Sequence, residues 1–334
     1  MNVIRETAEI PSFFYKGADM NTSISEVREE YGLYHPVPEK LKPRADMVDY
    51  EEKKRTFDRP GGRMMIVAHR ADRNDIFPEN SLEGTDLVLS AGADIVETDI
   101  QKTADGVLIV MHDATLSRTT DAEKYIGKPG FPRSDEISDW TFAQIRALRL
   151  KFPSGKETPY LVPALSDQIL VCKGRGFLTL DKHNTFDWDR DVYPLIEKTG
   201  AYETVMVPYT YSSGRADAIR RRMISDGGAC SPFFADSRDD ARIEKSEKEL
   251  SLLGMPICLR GTEYRPEDDA EWGKRLKKIS DRGGKYYIET LNPAHDNVDI
   301  WKRVADLGCG WLMGNRIYDQ LKFVREYYPD YYNA

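Results

Sequence analysis

From Met64 onward, short apolar runs of strand length alternate with amphipathic stretches of helix length, and this alternation limits the fold more than any other feature of the chain. Strand-helix-strand repetition implies parallel strands joined by crossover helices. The strand-like runs are Met65 to Ala68, Ile95 to Ile100, Val107 to Met111, Gly176 to Leu180, Thr204 to Val207, Ala229 to Phe233, Pro256 to Leu259, Tyr286 to Leu291 and Trp311 to Met313. The helix-like stretches are Leu82 to Ser90, Asp187 to Lys198, Arg215 to Ile224, Asp239 to Leu252, Asp268 to Asp281, Asn297 to Asp306 and Tyr318 to Tyr328. Such a series suits one α/β domain, a (β/α)8 TIM barrel of about 250 residues, with one of the strands belonging to a hairpin or irregular turn. A doubly wound open sheet is the alternative, but no G-x-G-x-x-G or G-x-x-x-x-G-K-[ST] loop supports it.

The chemistry concentrates between Ile66 and Thr120. In the strand Ile95-Val96-Glu97-Thr98-Asp99-Ile100, period-two alternation puts Glu97 and Asp99 on one face with Ile95. Two carboxylates aimed into a barrel repel each other unless something positive lies between them, and a hard divalent cation is the economical answer. Taken alone, the pair fits an edge strand in water better than a cation site. Its flanks argue otherwise: Met64 to Ala68 runs into His69-Arg70, and Asp105-Gly106, a hairpin-type turn, leads through Val107 to Met111 into His112-Asp113. Two strands that each deliver a histidine beside a strand that delivers two carboxylates look like a site for metal-assisted acid-base chemistry.

His69-Arg70, Pro78-Glu79-Asn80-Ser81, Gly92-Ala93-Asp94-Ile95-Val96-Glu97-Thr98-Asp99 and His112-Asp113-Ala114-Thr115-Leu116-Ser117-Arg118-Thr119-Thr120 together resemble the signature of the glycerophosphodiester phosphodiesterase family. The resemblance spans Met64 to about Gln320 and is densest before Thr120. It implies a barrel of the phospholipase C-like phosphodiesterase type and hydrolysis of glycerophosphodiesters to glycerol 3-phosphate and an alcohol. It further implies His69 and His112 as general acid and base, Arg70 on the phosphate, and Glu97, Asp99 and Asp181 around one Mg²⁺ or Ca²⁺. Three acidic oxygens without cysteine suit a hard ion better than zinc.

The sequence departs from the family at three places. In Phe177-Leu178-Thr179-Leu180-Asp181-Lys182-His183, the family's Glu-x-Lys is replaced, so Asp181 takes the metal-ligand place and His183 the place of a phosphate-contacting lysine. In Tyr286 to Asn292, Glu289 stands where the family commonly has a tryptophan, offering a carboxylate to hydroxyls or an ammonium of the substrate. Ala71 follows His-Arg where the family usually has glycine, which is tolerable if that backbone avoids positive φ. Three rivals remain. They are a sphingomyelinase D-like or phospholipase C-like enzyme on the same barrel, a catalytically inactive phosphodiester-binding barrel, and a carbohydrate-active barrel. The last is weak, because positions i and i+2 of one strand cannot straddle a glycosidic bond.

Residues 1–60 read as an N-terminal extension to a domain over 61–334, with a capping-box helix from Ser23 to Tyr31 and a charged, proline-bearing segment from His35 to Pro60. The extension is expected to wrap the outside of the barrel; a subunit-contact arm or a lid is the alternative, and homo-oligomerisation is left open. An insertion over about 114–163, rich in turn formers with one helix at Thr141 to Leu148, is expected to enclose substrate. With 48 basic against 56 acidic residues the net charge is -8, a poor basis for binding nucleic acid or an anionic membrane, so the expected partner is a small phosphodiester attracted locally. No signal-like or membrane-spanning apolar segment is seen, which makes the cytoplasm the expected compartment, with a processed secreted form left open. Cys172, Cys230, Cys258 and Cys309 lack C-x-x-C spacing and fit reduced thiols.

Overall fold

The computed structural model of the chain describes residues 49–58, 62–72, 76–181, 186–209, 233–236, 258–270, 273, 274, 277, 281 and 285–332, with backbone alone for 207–209, 233–236, 258–262, 268 and 285. His183, the helix expected near Ser23 and the helices expected over Arg215 to Ile224 and Asp239 to Leu252 lie outside the described residues.

In chain order the strands are β1 (Met65–Ala68), β2 (Ile95–Lys102), β3 (Leu108–Val110), β4 (Phe177–Asp181), β5 (Val207–Tyr209), β6 (Phe233–Asp236), β7 (Cys258–Glu263), β8 (Lys285–Thr290) and β9 (Trp311–Gly314). The main helices are α1 (Tyr50–Asp58), α2 (Leu82–Ala91), α3 (Phe142–Ile145), α4 (Leu165–Cys172), α5 (Tyr193–Thr199), α6 (Val298–Asp306) and α7 (Ile317–Tyr327). Strand β1 pairs in parallel with both β2 and β9, β2 with β4, and β5 through β9 each with the next. A parallel bridge between Leu178 and Val205, flanked by hydrogen bonds from Leu178 to Thr204 and from Met206 to Leu178, closes the ring between β4 and β5. Eight parallel strands thus form a barrel, while β3 pairs antiparallel with the end of β2 as the expected hairpin. The turn between them is made by Gly106 at φ 84°, a conformation glycine adopts without a Cβ penalty.

Alternation along the strands sorts the side chains. Met65, Val67, Ile95, Phe177, Tyr287, Trp311 and Met313 pack inside the barrel, whereas Met64, Ile66, Val96, Leu178, Ile288 and Leu312 face the helices. The N-terminal ends of the strands are stopped by α1: Phe57 stacks 4.8 Å from both Phe177 and Trp311. Buried Lys53 donates to the carbonyls of Ala93 and Arg175 at 2.6 and 2.8 Å. This helix, in the segment expected to wrap the outside, plugs the barrel floor. Beside it Arg63 and Asp94 form a buried two-pronged pair at 2.8 and 2.5 Å.

The insertion has a core of its own, with Trp140, Ile137, Ile145, Leu148 and Leu150 packed against Ile109 and Met111 of the hairpin. Strands β5 and β6 begin three or four residues later than the apolar runs expected, and α4 has no sequence-based counterpart. Nearly all of α4 is buried and its N-cap is Ala164 without a side-chain hydrogen bond, so it lacks both the polar face and the cap that announce a helix. Cys172 and Cys309 are buried free thiols.

Candidate active site

The C-terminal ends of barrel strands carry the chemistry. Strand β1 ends at Ala68 and hands over to His69 and Arg70, and the loop turns back at once because Arg70 and Ala71 adopt φ of 54° and 60°. Glu97 and Asp99 project inward from β2, as period two requires, and the β2–β4 register sets Asp181 opposite Asp99. One oxygen from each of Glu97, Asp99 and Asp181 lies within 4.8 Å of the others. Burial, then the charges of Asp99 and Asp181, push the Glu97 carboxyl well above the ordinary glutamate range. Burial also raises Asp99, against the pull of Arg70 and the Asn80 hydrogen bond. Glu97 and Asp99 are desolvated and each is repelled by Asp181, so these three residues fit a divalent cation and could hold one.

Two loops brace the cluster. The Arg70 backbone N–H donates to Glu97 Oε2 at 3.0 Å, and Arg70 Nε lies 3.2 Å from Asp99 Oδ2. Asn80 Nδ2 donates to the same Asp99 oxygen at 3.0 Å, while the Asn80 N–H donates to the Arg70 carbonyl at 2.9 Å. Ser81 caps α2 by accepting from the Gly84 N–H at 3.1 Å. Glu79, 4% exposed, accepts from Arg70 Nη1 at 3.3 Å and from both terminal nitrogens of Arg118 at 3.2 and 2.7 Å.

The second histidine is delivered by the hairpin. Met111 donates to the Asp99 carbonyl at 2.9 Å and Gln101 Nε2 to the His112 carbonyl at 3.0 Å, which sets the exit of β3 beside β2. His112 Nδ1 is 2.6 Å from Asp113 Oδ1. Asp113 is in turn gripped by Arg118, and that hydrogen bond is the main cause holding its carboxyl down at about 2. A chain of alternating charge therefore runs from Asp99 through Arg70, Glu79, Arg118 and Asp113 to His112. His69 Nδ1 is 2.8 Å from Asn315 Oδ1, just after β9.

Glu289 lies on β8, on the face that Tyr287 presents to the barrel interior, and pairs in register with Met313. Sequence reasoning left Glu79 without a role and gave none to Asn315 or Asp296. Glu79 was visible as the charged member of Pro78-Glu79-Asn80-Ser81 and Asn315 as the polar residue closing the last apolar strand, but their partners come from distant loops.

A closed parallel barrel with three carboxylates and two histidines at its C-terminal mouth defines a class, that of TIM-barrel proteins. Within it, residues 69–221 match the model of the glycerophosphoryl diester phosphodiesterase family. A glycerophosphodiester phosphodiesterase of Caldanaerobacter subterraneus is 39% identical over 115 residues, which are 34% of this chain and 42% of that protein. The bovine glycerophosphodiester phosphodiesterase 1 is 34% identical over 122 residues, covering 34% of this chain and 32% of that protein. The match thus spans 42% and 32% of these two relatives' length. The fold extends further. A glycerophosphoryl diester phosphodiesterase structure from Parabacteroides distasonis superposes with a TM-score of 0.63 at 21% identity, covering 85% of this chain and 93% of that one. An Oleispira antarctica phosphodiesterase, solved with the product sn-glycerol-3-phosphate, gives a TM-score of 0.55 at 16% identity over 78% of this chain and 97% of that one. No helix among the described residues is long and apolar enough to cross a membrane.

Proposed function

We propose that the protein is a metal-dependent glycerophosphodiester phosphodiesterase, releasing glycerol 3-phosphate and an alcohol. The observation that carries this reading is the convergence of Glu97, Asp99 and Asp181 within 4.8 Å of one another at the mouth that also bears His69 and His112. Glu97, Asp99 and Asp181 would hold one Mg²⁺ or Ca²⁺, whose charge when bound neutralises phosphoryl oxygen and favours the ionised form of the attacking hydroxyl.

The chain's own groups do the rest. One of His69 and His112 removes the proton from the nucleophile, either the neighbouring glycerol hydroxyl or water; the other protonates the leaving alcohol oxygen as its bond to phosphorus breaks. Where the glycerol hydroxyl attacked, water then adds to phosphorus and opens the cyclic phosphate to glycerol 3-phosphate. Asp113, kept ionised by Arg118, orients His112 and supplies a counter-charge whenever that ring carries two protons. Arg70 is held by Glu79 beside the cluster, where its planar guanidinium would meet the phosphate. Glu289, in place of an aromatic, favours a head group bearing hydroxyls or an ammonium, and His183 stands as the second phosphate contact.

The test is release of glycerol 3-phosphate from glycerophosphocholine and glycerophosphoethanolamine with Mg²⁺, Ca²⁺ or EDTA, for the native chain and for His69→Ala. Metal-dependent turnover that falls at least about a hundredfold in the variant is expected. A folded, cation-binding native protein that cleaves neither substrate would overturn the assignment.

A further inference from the structure

The loop that supports His69 is built around a buried carboxylate. Asp296, 2% exposed, accepts through Oδ1 from Trp301 Nε1 at 2.9 Å, Gln320 Nε2 at 3.0 Å and Thr290 Oγ1 at 3.2 Å. Through Oδ2 it accepts from the backbone N–H groups of Asn315 at 2.7 Å and Arg316 at 2.9 Å. Donors from β8, α6, α7 and the turn after β9 thus converge on one anion and leave it little freedom. The chain passes it so closely at Gly314 that a Cβ there would collide with Asp296 and Gln320, so only glycine fits.

This buttress fixes Asn315, and Asn315 fixes a proton. Its Nδ2 donates to the Leu291 carbonyl at 3.1 Å. A carbonyl can only accept, so the amide nitrogen must face Leu291 and the amide oxygen must face His69. That oxygen is 2.8 Å from His69 Nδ1, and because an amide oxygen can only accept, Nδ1 carries the hydrogen. In the neutral imidazole the lone pair is then on Nε2.

We propose that Asn315 is a positioning residue that holds His69 in its Nδ1–H tautomer, with Asp296 as the buttress that aims it. The role rests on the reading of His69 as an acid-base group in phosphodiester hydrolysis, but the tautomer does not. A ring without this acceptor can rotate or carry its hydrogen on the other nitrogen, and either change removes a correctly aimed base.

The experiment uses the full chain with Mg²⁺, labelled with ¹⁵N-histidine, with the His69 signals assigned by their loss in His69→Gln. In the native protein at a pH where the ring is neutral, the chemical shifts should report a protonated Nδ1 and an unprotonated Nε2. Asn315→Leu, similar in volume but without an acceptor, should lower kcat for glycerophosphocholine by about 10- to 100-fold while KM stays within about threefold. Asn315→Asp keeps an oxygen facing the ring, so it should retain the Nδ1 proton and keep kcat within about tenfold of native. A proton on Nε2 in the native protein overturns the proposal, as does an unchanged kcat in Asn315→Leu or a loss confined to KM. If the Leu variant does not fold, the native tautomer and the Asp variant still decide. If the native protein turns over no glycerophosphodiester, the functional reading fails while the spectrum still settles the tautomer.

Discussion

Arg70, Ala71 and Asn80 adopt φ of 54°, 60° and 59°, in the two short loops that frame the carboxylates. Left-handed backbone costs an L-residue roughly 1–2 kcal/mol and persists where the surroundings over-determine it. Here the Asn80-to-Arg70 backbone hydrogen bond and the bonds from both residues to the acids do so. The replacement of glycine by Ala71 therefore falls where a Cβ is strained, against the sequence-based condition for its tolerance. Glu97 carries a second stored cost. Its carboxyl titrates higher in the folded than in the unfolded chain, chiefly through burial, so the folded state binds more protons above the ordinary value near 4.5. In metal-free protein this group's share of stability is lost as pH rises from there toward its raised folded value. Glu97→Gln should raise the Tm of EDTA-treated protein at pH 8, change it little near pH 4, and abolish stabilisation by added Mg²⁺ or Ca²⁺. Thermal scans at the two pH values, with and without the cation, check all three.

At the scale of elements, α2 shows how packing overrides local preference. Glu83 lies in its first turn, where a carboxylate normally gains from the helix dipole, yet Glu83 is 3% exposed and burial lifts its carboxyl to about 7. A backbone hydrogen bond and then Arg146 of the insertion pull the other way without outweighing desolvation, to which Asp86 adds. The folded value exceeds the unfolded one, so the group's contribution is present below about 4.5 and lost as pH climbs through about 7. Glu83→Gln should stabilise the protein by about 1–3 kcal/mol at pH 8 and leave it nearly unchanged near pH 4. Urea unfolding at both pH values measures this. The elements that sequence reasoning displaced or missed share a cause: β5, β6 and α4 have little polar-apolar periodicity, and without it an apolar run marks neither register nor helix.

For the molecule as a whole, stability depends on closing the barrel at its floor. Phe57, 3% exposed, fills the space between Phe177 and Trp311, so Phe57→Ala should cost about 3–5 kcal/mol, seen as a lower urea midpoint, with cation binding at the mouth retained. Nothing in the charged run Tyr50 to Asp58 distinguished it from its proline-bearing surroundings, because a plug is defined by what it fills. The alternation after Met64, the period-two placement of Glu97 and Asp99 and the Asp105-Gly106 hairpin were all legible, since each depends on neighbours in the chain and on backbone geometry. The sequence by itself determined the barrel, its hairpin, and which acids and histidines stand at the ends of its strands. Only the tertiary structure decided that Asp181 meets Asp99 through strand register, that Glu79 ties Arg70 to Arg118, and that Asp296 and Asn315 reach His69. Those contacts join residues up to 246 positions apart, and no local pattern encodes a partner that only closure of the barrel brings near.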